Sequence, residues 1–351
     1  MDQRTGIIGC FAEGTDLCDG QTVKTRNLYM MLERYAGIRA RRADTWALRR
    51  NPVRLLADTM KCMLLCRHIF LMVSVNGMKF YLPFLYYLNK ITRRRIYHYV
   101  IGSELLELTR ENPRLIKYLN ALEINWFEYE SGTRQLQSMG VRNAQTLPNC
   151  KVLAAVSEPE AYEPENGVYR FCTFSRVMEE KGITEAIKAI AHINREKGTV
   201  AAHLDIYGPV DAAYRNAFEA LLSEHADCVT YQGVADSGSS VEILKGYYAL
   251  LFPTRWAGEG VPGTLIDAFA SGLPIIASDW NANRELISHH FQGLLYPEAD
   301  MQTLADAVRW AIAHPAELDQ MRKNSRRSYE HYTPETIMTA IINRMEGAGV
   351  S

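Results

Sequence analysis

The sequence predicts an α/β fold in which doubly wound parallel sheets are arranged in two successive domains. Three observations lead there. Short apolar runs alternate with helical patterns along the whole chain, as in β-α-β units whose strands are buried on both faces. The length, 351 residues, exceeds what one core usually supports. An acidic stretch with two prolines and no helical period, Lys151 to Gly167, interrupts the alternation, which then starts afresh. The expected domains are 1–155 and 156–332, followed by a terminal helix at 333–351.

Composition narrows the class. The chain is 47% hydrophobic and 23% charged, an ordinary globular balance with no low-complexity tract. No apolar segment reaches the roughly 18 residues of a transmembrane helix. The opening MDQRTGIIGCF reads as a strand rather than a signal peptide. Seven scattered cysteines fit reduced thiols and a cytoplasmic protein. Cys62 and Cys66 share a helix face, but no second Cys or His pair completes a site, so no metal is expected. The net charge of -1 conceals an asymmetry, because residues 1–110 hold 18 Lys and Arg against 9 Asp and Glu. That basic half either faces an anionic partner or balances the remainder across a cleft. No nucleic-acid partner is expected.

In the first half, Thr5 to Phe11 reads as a strand, and the loop Glu13 to Thr22 holds Gly14, Asp19 and Gly20. Helices are expected at Val23–Tyr35, Pro52–Arg67 and Gly77–Lys90, and strands at His68–Asn76, Ile96–Ile101, Ile124–Glu130 and Ala144–Pro148. The loop lacks GxGxxG, which excludes a dinucleotide fingerprint. Gly20 serves either close backbone approach to a ligand or a tight turn. The aromatic helix ends at Arg93-Arg94-Arg95. Its aromatics suit either contact with membrane lipid or burial on both faces.

In the second half, strands are expected at Val168–Ser175, Ala201–Tyr207, Val229–Gln232 and Ala249–Phe252, with helices at Ile183–Asn194 and Asp211–His225. Arg176 and Lys181 follow the first of these strands, where ligands of such folds bind. Two fixed cations can neutralise a diphosphate, and the chain has no Asp-x-Asp pair to hold a divalent ion. The stretch FPTRWAGEGVPGTLIDAFASGLPIIASDW, at 252–280, reads as strand end, glycine loop, helix and strand. Pro262 and Gly263 open the helix and Gly272 ends it, at Thr264–Ala270, before the strand Leu273–Ala277. A loop feeding a helix N-terminus suits an anion. Two carboxylates, Glu259 and Asp267, bracket it, so a ligand with both phosphate and hydroxyls, such as a nucleotide sugar, fits. Helices at Met301–His314 and Ala316–Tyr332 and a final one through Met345 complete the chain.

These motifs resemble a known family. FSRVMEEKG, at 174–182, is similar to the Gly-Arg-Leu…Glu-Lys-Gly signature of family 4 retaining glycosyltransferases with the GT-B fold, two Rossmann-like domains facing a central cleft. EGVPGTLIDAFASGLPIIASD, at 259–279, resembles their Glu-x7-Glu motif and following strand, while IYGPV and VTYQG sit where the family has similar pieces. The resemblance covers most of the chain and is strongest over about 170–290. It is greatest to bacterial enzymes of capsule, exopolysaccharide or lipopolysaccharide assembly.

The resemblance implies transfer of a sugar from a UDP- or GDP-sugar to a glycan or lipid-linked glycan, with retention, without cofactor or metal. It makes Arg176 and Lys181 the cations on the donor diphosphate, Glu259 the contact to the donor sugar, and Asp267 the holder of the ribose. Gly208 and the run Gly260, Val261, Pro262, Gly263, Thr264 and Leu265 would line the donor, and Gly20 would be the glycine-loop position of the first domain. His98 corresponds to a functional His or Asp near a strand end, although it sits early in its strand and suits a core histidine equally. Asp267 is one methylene shorter than the usual Glu, and Ser175 replaces a usual Gly. Domain closure would exclude water, and the last helix would return to the first domain. The protein would work at the inner face of the cytoplasmic membrane, with peripheral contact to anionic lipid through the basic domain. A non-catalytic partner subunit and a sugar-nucleotide epimerase are the alternatives.

Overall fold

Apolar strands flanked by amphipathic helices build two parallel sheets, each in its own unit. The structure, a computed structural model, describes residues 4–15, 20–236, 238–297 and 300–347. Asp19, in the first loop, lies outside the described residues. One unit comprises residues up to Val152 and those from His331 onward; the other runs from Leu153 to Glu330.

The strands of the first unit are β1 (Thr5–Gly9), β2 (Arg41–Asp44), β3 (His68–Met72), β4 (Arg95–Tyr99), β5 (Ile124–Phe127) and β6 (Ala144–Thr146). Its helices, in chain order, are α1 (Gly20–Ala36), α2 (Pro52–Leu65), α3 (Val75–Thr92), α4 (Glu104–Glu111), α5 (Leu115–Leu119) and α6 (Glu130–Ser138). The sheet order is β2-β1-β3-β4-β5-β6. In the second unit follow β7 (Tyr169–Phe174), α7 (Ile183–Lys197), β8 (Ala202–Tyr207), α8 (Arg215–Glu224), β9 (Val229–Gly233), α9 (Ser240–Leu244) and β10 (Ala249–Phe252). Then come α10 (Gly263–Ser271), β11 (Ile275–Ser278), α11 (Asn283–Leu286), β12 (Gly293–Tyr296), α12 (Met301–Ala313) and α13 (Pro315–Ser328). The last helix, α14 (Pro334–Glu346), belongs to the first unit.

The first unit's core joins Ile7, Phe70, Tyr97 and Trp126 of the sheet to Leu28, Met31 and Leu32 of α1. From α14, Ile337, Met338 and Ile341 enter the same core. The rings of Phe70, Tyr97 and Trp126 stack across neighbouring strands, with centroids 5.2 and 5.6 Å apart. The second unit's core packs Ile187 and Ile190 of α7 and Leu304 and Val308 of α12 on Leu204, Leu251 and Ile276.

Local chemistry explains where elements depart from expectation. The first strand ends at Gly9 rather than Phe11, because Asp44 accepts from the N–H groups of Phe11 at 2.9 Å and Ala12 at 3.3 Å and turns the chain. Ala12 there holds a left-handed φ of 47°. The strand at His68 stops at Met72, and Val75 and Asn76 open α3 instead. The helix expected from Asp211 begins at Arg215, since the Asp211 carboxylate caps a turn by accepting from Ala213 N–H at 2.9 Å. The edge strands β2 and β12 were not expected, nor were the short helices α4, α5, α6, α9 and α11. The triple arginine divides its roles. Arg94 caps α2 by donating to Met63 and Leu64 carbonyls, each at 2.8 Å, and Arg95 donates to Arg344 O at 2.9 Å and pairs with Glu123 at 3.0 Å. Arg93 is exposed.

Candidate functional site

The order of the second sheet is β12-β11-β10-β7-β8-β9. The chain runs outward from β7 through β8 and β9, then crosses back to β10 on the other side of β7. The loops after β7 and β10 therefore leave neighbouring strand ends at a topological switch point, the place beside which ligands of open α/β sheets bind. Each loop leads to a helix, α7 and α10.

The loop after β7 is held by close backbone packing. Gly208, with φ 135°, approaches so closely that a Cβ there would stand 1.8 Å from Ser175 O. Val177 N–H donates to Pro209 O at 2.9 Å, and Asp211 N–H to Val177 O at 2.9 Å. Arg176 projects from this fixed backbone, exposed and without an ion pair among the described residues. Gly182, with φ 72°, would place a Cβ 2.2 Å from Pro253 O, so the two loops touch immediately after Lys181.

Across that contact Lys181 pairs with Glu259. Their side chains are only 12% and 11% exposed, so the pair is largely withdrawn from water. Glu259 Oε2 accepts both from Lys181 and from Thr254 Oγ1, the latter at 3.1 Å. Its Oε1 accepts no hydrogen bond among the described residues. Pro262 caps α10 without a side-chain bond, which leaves the first-turn N–H groups of Gly263 and Thr264 uncapped by any side chain. Thr264 Oγ1 donates to Phe174 O at 2.6 Å and ties the start of α10 to the end of β7.

Structure and expectation differ at several residues. Leu265 offers a ligand nothing, because its side chain is fully buried and its N–H donates to Pro262 O at 3.1 Å. Asp267 is 2% exposed and its Oδ1 accepts from Ser240 Oγ at 3.0 Å, which leaves little surface for a ribose hydroxyl. Val261 and Pro262 are buried, so their side chains offer a ligand little surface. His98 is corrected outright. It lies inside the first unit at 0% exposure, where Nδ1 donates to Asn125 Oδ1 at 2.9 Å. That direction follows because Asn125 Nδ2 donates to Leu119 O and Asn143 Oδ1. Burial depresses its pKa to about 4. At 0% exposure the ring is packed in the interior of the first unit rather than presented to a ligand. Gly20 opens α1 with a φ outside the left-handed range and with open space around it, so no tight turn requires it.

Residues the sequence did not single out complete the site. Arg255 bonds Glu185 at 2.6 Å and its N–H donates to Glu180 O at 2.8 Å, which latches the two loops together. Ser278 Oγ donates to Thr254 O at 2.6 Å from below. Trp280 and Asn281 hold the Glu259 loop from the β11 side. Arg255 lies in the loop between Phe252 and Glu259, but nothing in its spacing announced that role. Among the described residues no group of three or more His, Cys, Asp or Glu is placed to hold a metal ion.

Known proteins resemble this chain in sequence over part of its length and in fold. Residues 157–328 match the family model described as glycosyl transferases group 1. An amylovoran biosynthesis glycosyltransferase of Erwinia amylovora is 31% identical over 140 residues, 39% of this chain and 34% of that protein. A D-rhamnosyltransferase of Pseudomonas aeruginosa is 28% identical over 102 residues, 29% and 27% of the two chains. The chain thus spans about a third or less of these curated relatives' length. The Anabaena HepE protein, solved in complex with UDP and glucose, superposes with a TM-score of 0.73 over 98% of this chain and 100% of its own, at 13% identity. At that identity the likeness shows the fold alone, with two Rossmann-like sheets as here. The segment at 157–328 is thus similar to the group 1 glycosyl transferases, and the chain carries the two Rossmann-like sheets of the GT-B fold.

Proposed function

We propose that the protein is a hexosyltransferase that moves a sugar from a UDP- or GDP-sugar to a hydroxyl of a glycan or lipid-linked glycan in bacterial surface polysaccharide synthesis. The observation that carries this reading is the Lys181–Glu259 pair beside the uncapped start of α10, at a switch point of the sheet. Names of the similar proteins support the polysaccharide setting, and the UDP and glucose bound by the Anabaena protein support the donor class.

The chemistry follows from the charges. As the bond to the leaving diphosphate breaks, negative charge grows on its oxygens and the anomeric carbon gains oxocarbenium character. Arg176 and the first-turn N–H groups of α10 meet that growing charge, and they are preorganised because both backbones are fixed. Lys181 is shared: an incoming phosphate competes with Glu259 for the ammonium. Glu259 keeps Oε1 for a hydroxyl of the donor sugar, while backbone groups of Gly208, Gly260 and Gly263 line the diphosphate and sugar. Retention follows if the leaving phosphate takes the acceptor proton on the same face. A thermal-shift panel of UDP-, GDP- and ADP-sugars tests the reading, since a ligand of the native state raises Tm. A shift with one base class is the expected result. No shift with any donor, or conversion of the donor to a rearranged nucleotide sugar without acceptor, overturns it.

We also infer a peripheral contact with anionic membrane through the first unit. Among the described residues no helix is long and apolar enough to cross a membrane. Yet Val53, Leu56 and Leu64 on α2 are 76%, 49% and 54% exposed, and Phe80, Tyr87 and Ile91 on α3 are 59%, 57% and 82% exposed. Exposed cations on the same helices or just past α3, including Lys61, Lys79, Lys90 and Arg93, suit lipid headgroups around that apolar surface.

A further inference from the structure

The loop that carries Glu259 is gripped by two residues to which neither motif assigns a role. Trp280 donates from Nε1 to Trp256 O at 3.0 Å. Asn281 donates to Ala257 O at 3.3 Å and to Trp256 O and Glu259 O at 3.5 Å. It does so from a left-handed backbone, φ 48°, a conformation that Asn adopts more readily than most side chains. So the position of Glu259 and the position of the Trp280 ring are set by the same contacts.

Both rings have surface to offer. Trp280 is 37% exposed although its indole N–H is already satisfied. Trp256 is half-buried, and its own Nε1–H has no acceptor among the described residues. Gly258 keeps the space beside that nitrogen open, since a Cβ there would stand 2.7 Å from it. Two of the chain's five tryptophans therefore flank the candidate acid. Strand order fixes which side they serve. From β7, the strand before Arg176, the sheet steps to β10 and then to β11, the strand before Trp280. At about 4.8 Å per step, Trp280 lies roughly 10 Å outward of the diphosphate end. A donor sugar belongs between Arg176 and Glu259, so Trp280 lies beyond it, on the β11 side of the loop that carries Trp256 and Glu259.

We propose that Trp280, with Trp256, forms an aromatic subsite that stacks a pyranose ring of the acceptor glycan next to Glu259. The electropositive C–H face of a pyranose matches the negative face of an indole, and the free Trp256 N–H can donate to a ring hydroxyl. This inference rests on the glycosyltransferase reading, and its test separates the two. Saturation-transfer NMR is run with octyl glycosides of glucose, galactose, mannose and N-acetylglucosamine, in the presence of UDP or GDP, with the nucleotide thermal shift measured in parallel. Ring protons of at least one glycoside should receive saturation from the wild type and from Trp280→Phe. Affinity should fall about three- to tenfold in Trp280→Ala, the size of one lost ring contact. Equal transfer in Trp280→Ala, or no transfer to any of the four glycosides, overturns the subsite. Loss of the nucleotide shift in Trp280→Ala alone also overturns it, by assigning the ring to the donor. A missing nucleotide shift in the wild type instead overturns the parent reading.

Discussion

Lys181 and Glu259 neutralise each other where little water reaches them, so neither can be removed without exposing the other to that setting. Lys181→Ala leaves a carboxylate largely withdrawn from solvent, at a cost of about 3–5 kcal/mol. Glu259→Gln keeps the shape of the site and removes only its charge. Transfer should fall at least ~100-fold in either variant, as for loss of a preorganised electrostatic contact, while the protein stays folded by circular dichroism. Wild-type turnover in either one would remove the pair from the site. Arg176, Lys181 and Glu259 were legible in the sequence because each stands at a fixed offset from a strand end. Arg255, Trp280 and Ser240 were not. Their partners lie 70, 24 and 27 residues away in sequence, and only the folded sheet brings them into reach. For Asp267 the spacing from Glu259 is visible in the sequence, while its burial against Ser240 is not.

Helices α2 and α3 present apolar side chains to solvent that a protein interior would normally absorb. Each exposed Phe or Ile that inserts into a headgroup region contributes on the order of 1.5–3 kcal/mol. The chain should therefore co-sediment with vesicles of phosphatidylcholine and phosphatidylglycerol, and much less with phosphatidylcholine alone. The double variant Phe80→Asp, Ile91→Asp should bind the mixed vesicles more than tenfold more weakly. Equal sedimentation of variant and wild type would refute the contact. The sequence marked α3 as aromatic and basic but could not say which face was turned outward. It also overstated the arginine triplet, two of whose members serve the interior. Strands β2 and β12 escaped prediction because neither four-residue segment shows alternation. β2 reads Arg-Arg-Ala-Asp, and β12 depends on Gly293, where a Cβ would stand 2.1 Å from Ile275 O.

At the scale of the molecule, buried histidines link stability to pH. His98 and His68 both have pKa values lowered to about 4 by burial, with Arg95 and Arg67 adding to the effect at His68. A folded pKa below the unfolded one near 6.5 means that the unfolded chain binds protons first. Stability is therefore intact above about pH 6.5 and is lost as the pH falls toward 4, by about 3 kcal/mol for His98. Urea unfolding at pH 7 and pH 4.5 should show the drop, and His98→Asn should flatten it; an unchanged slope in that variant would assign the effect elsewhere. The division into two α/β halves was plain from alternation and the acidic break. The sheet order that creates the switch point was not, since apolar runs carry no record of their neighbours. One feature of that architecture bears on how the protein is made. The core of the first unit includes Ile337, Met338 and Ile341 of α14, which leave the ribosome after the entire second unit. At about 5–20 residues per second, the first sheet waits on the order of ten seconds or more for its final wall. During synthesis the half that emerges first is the half that finishes last.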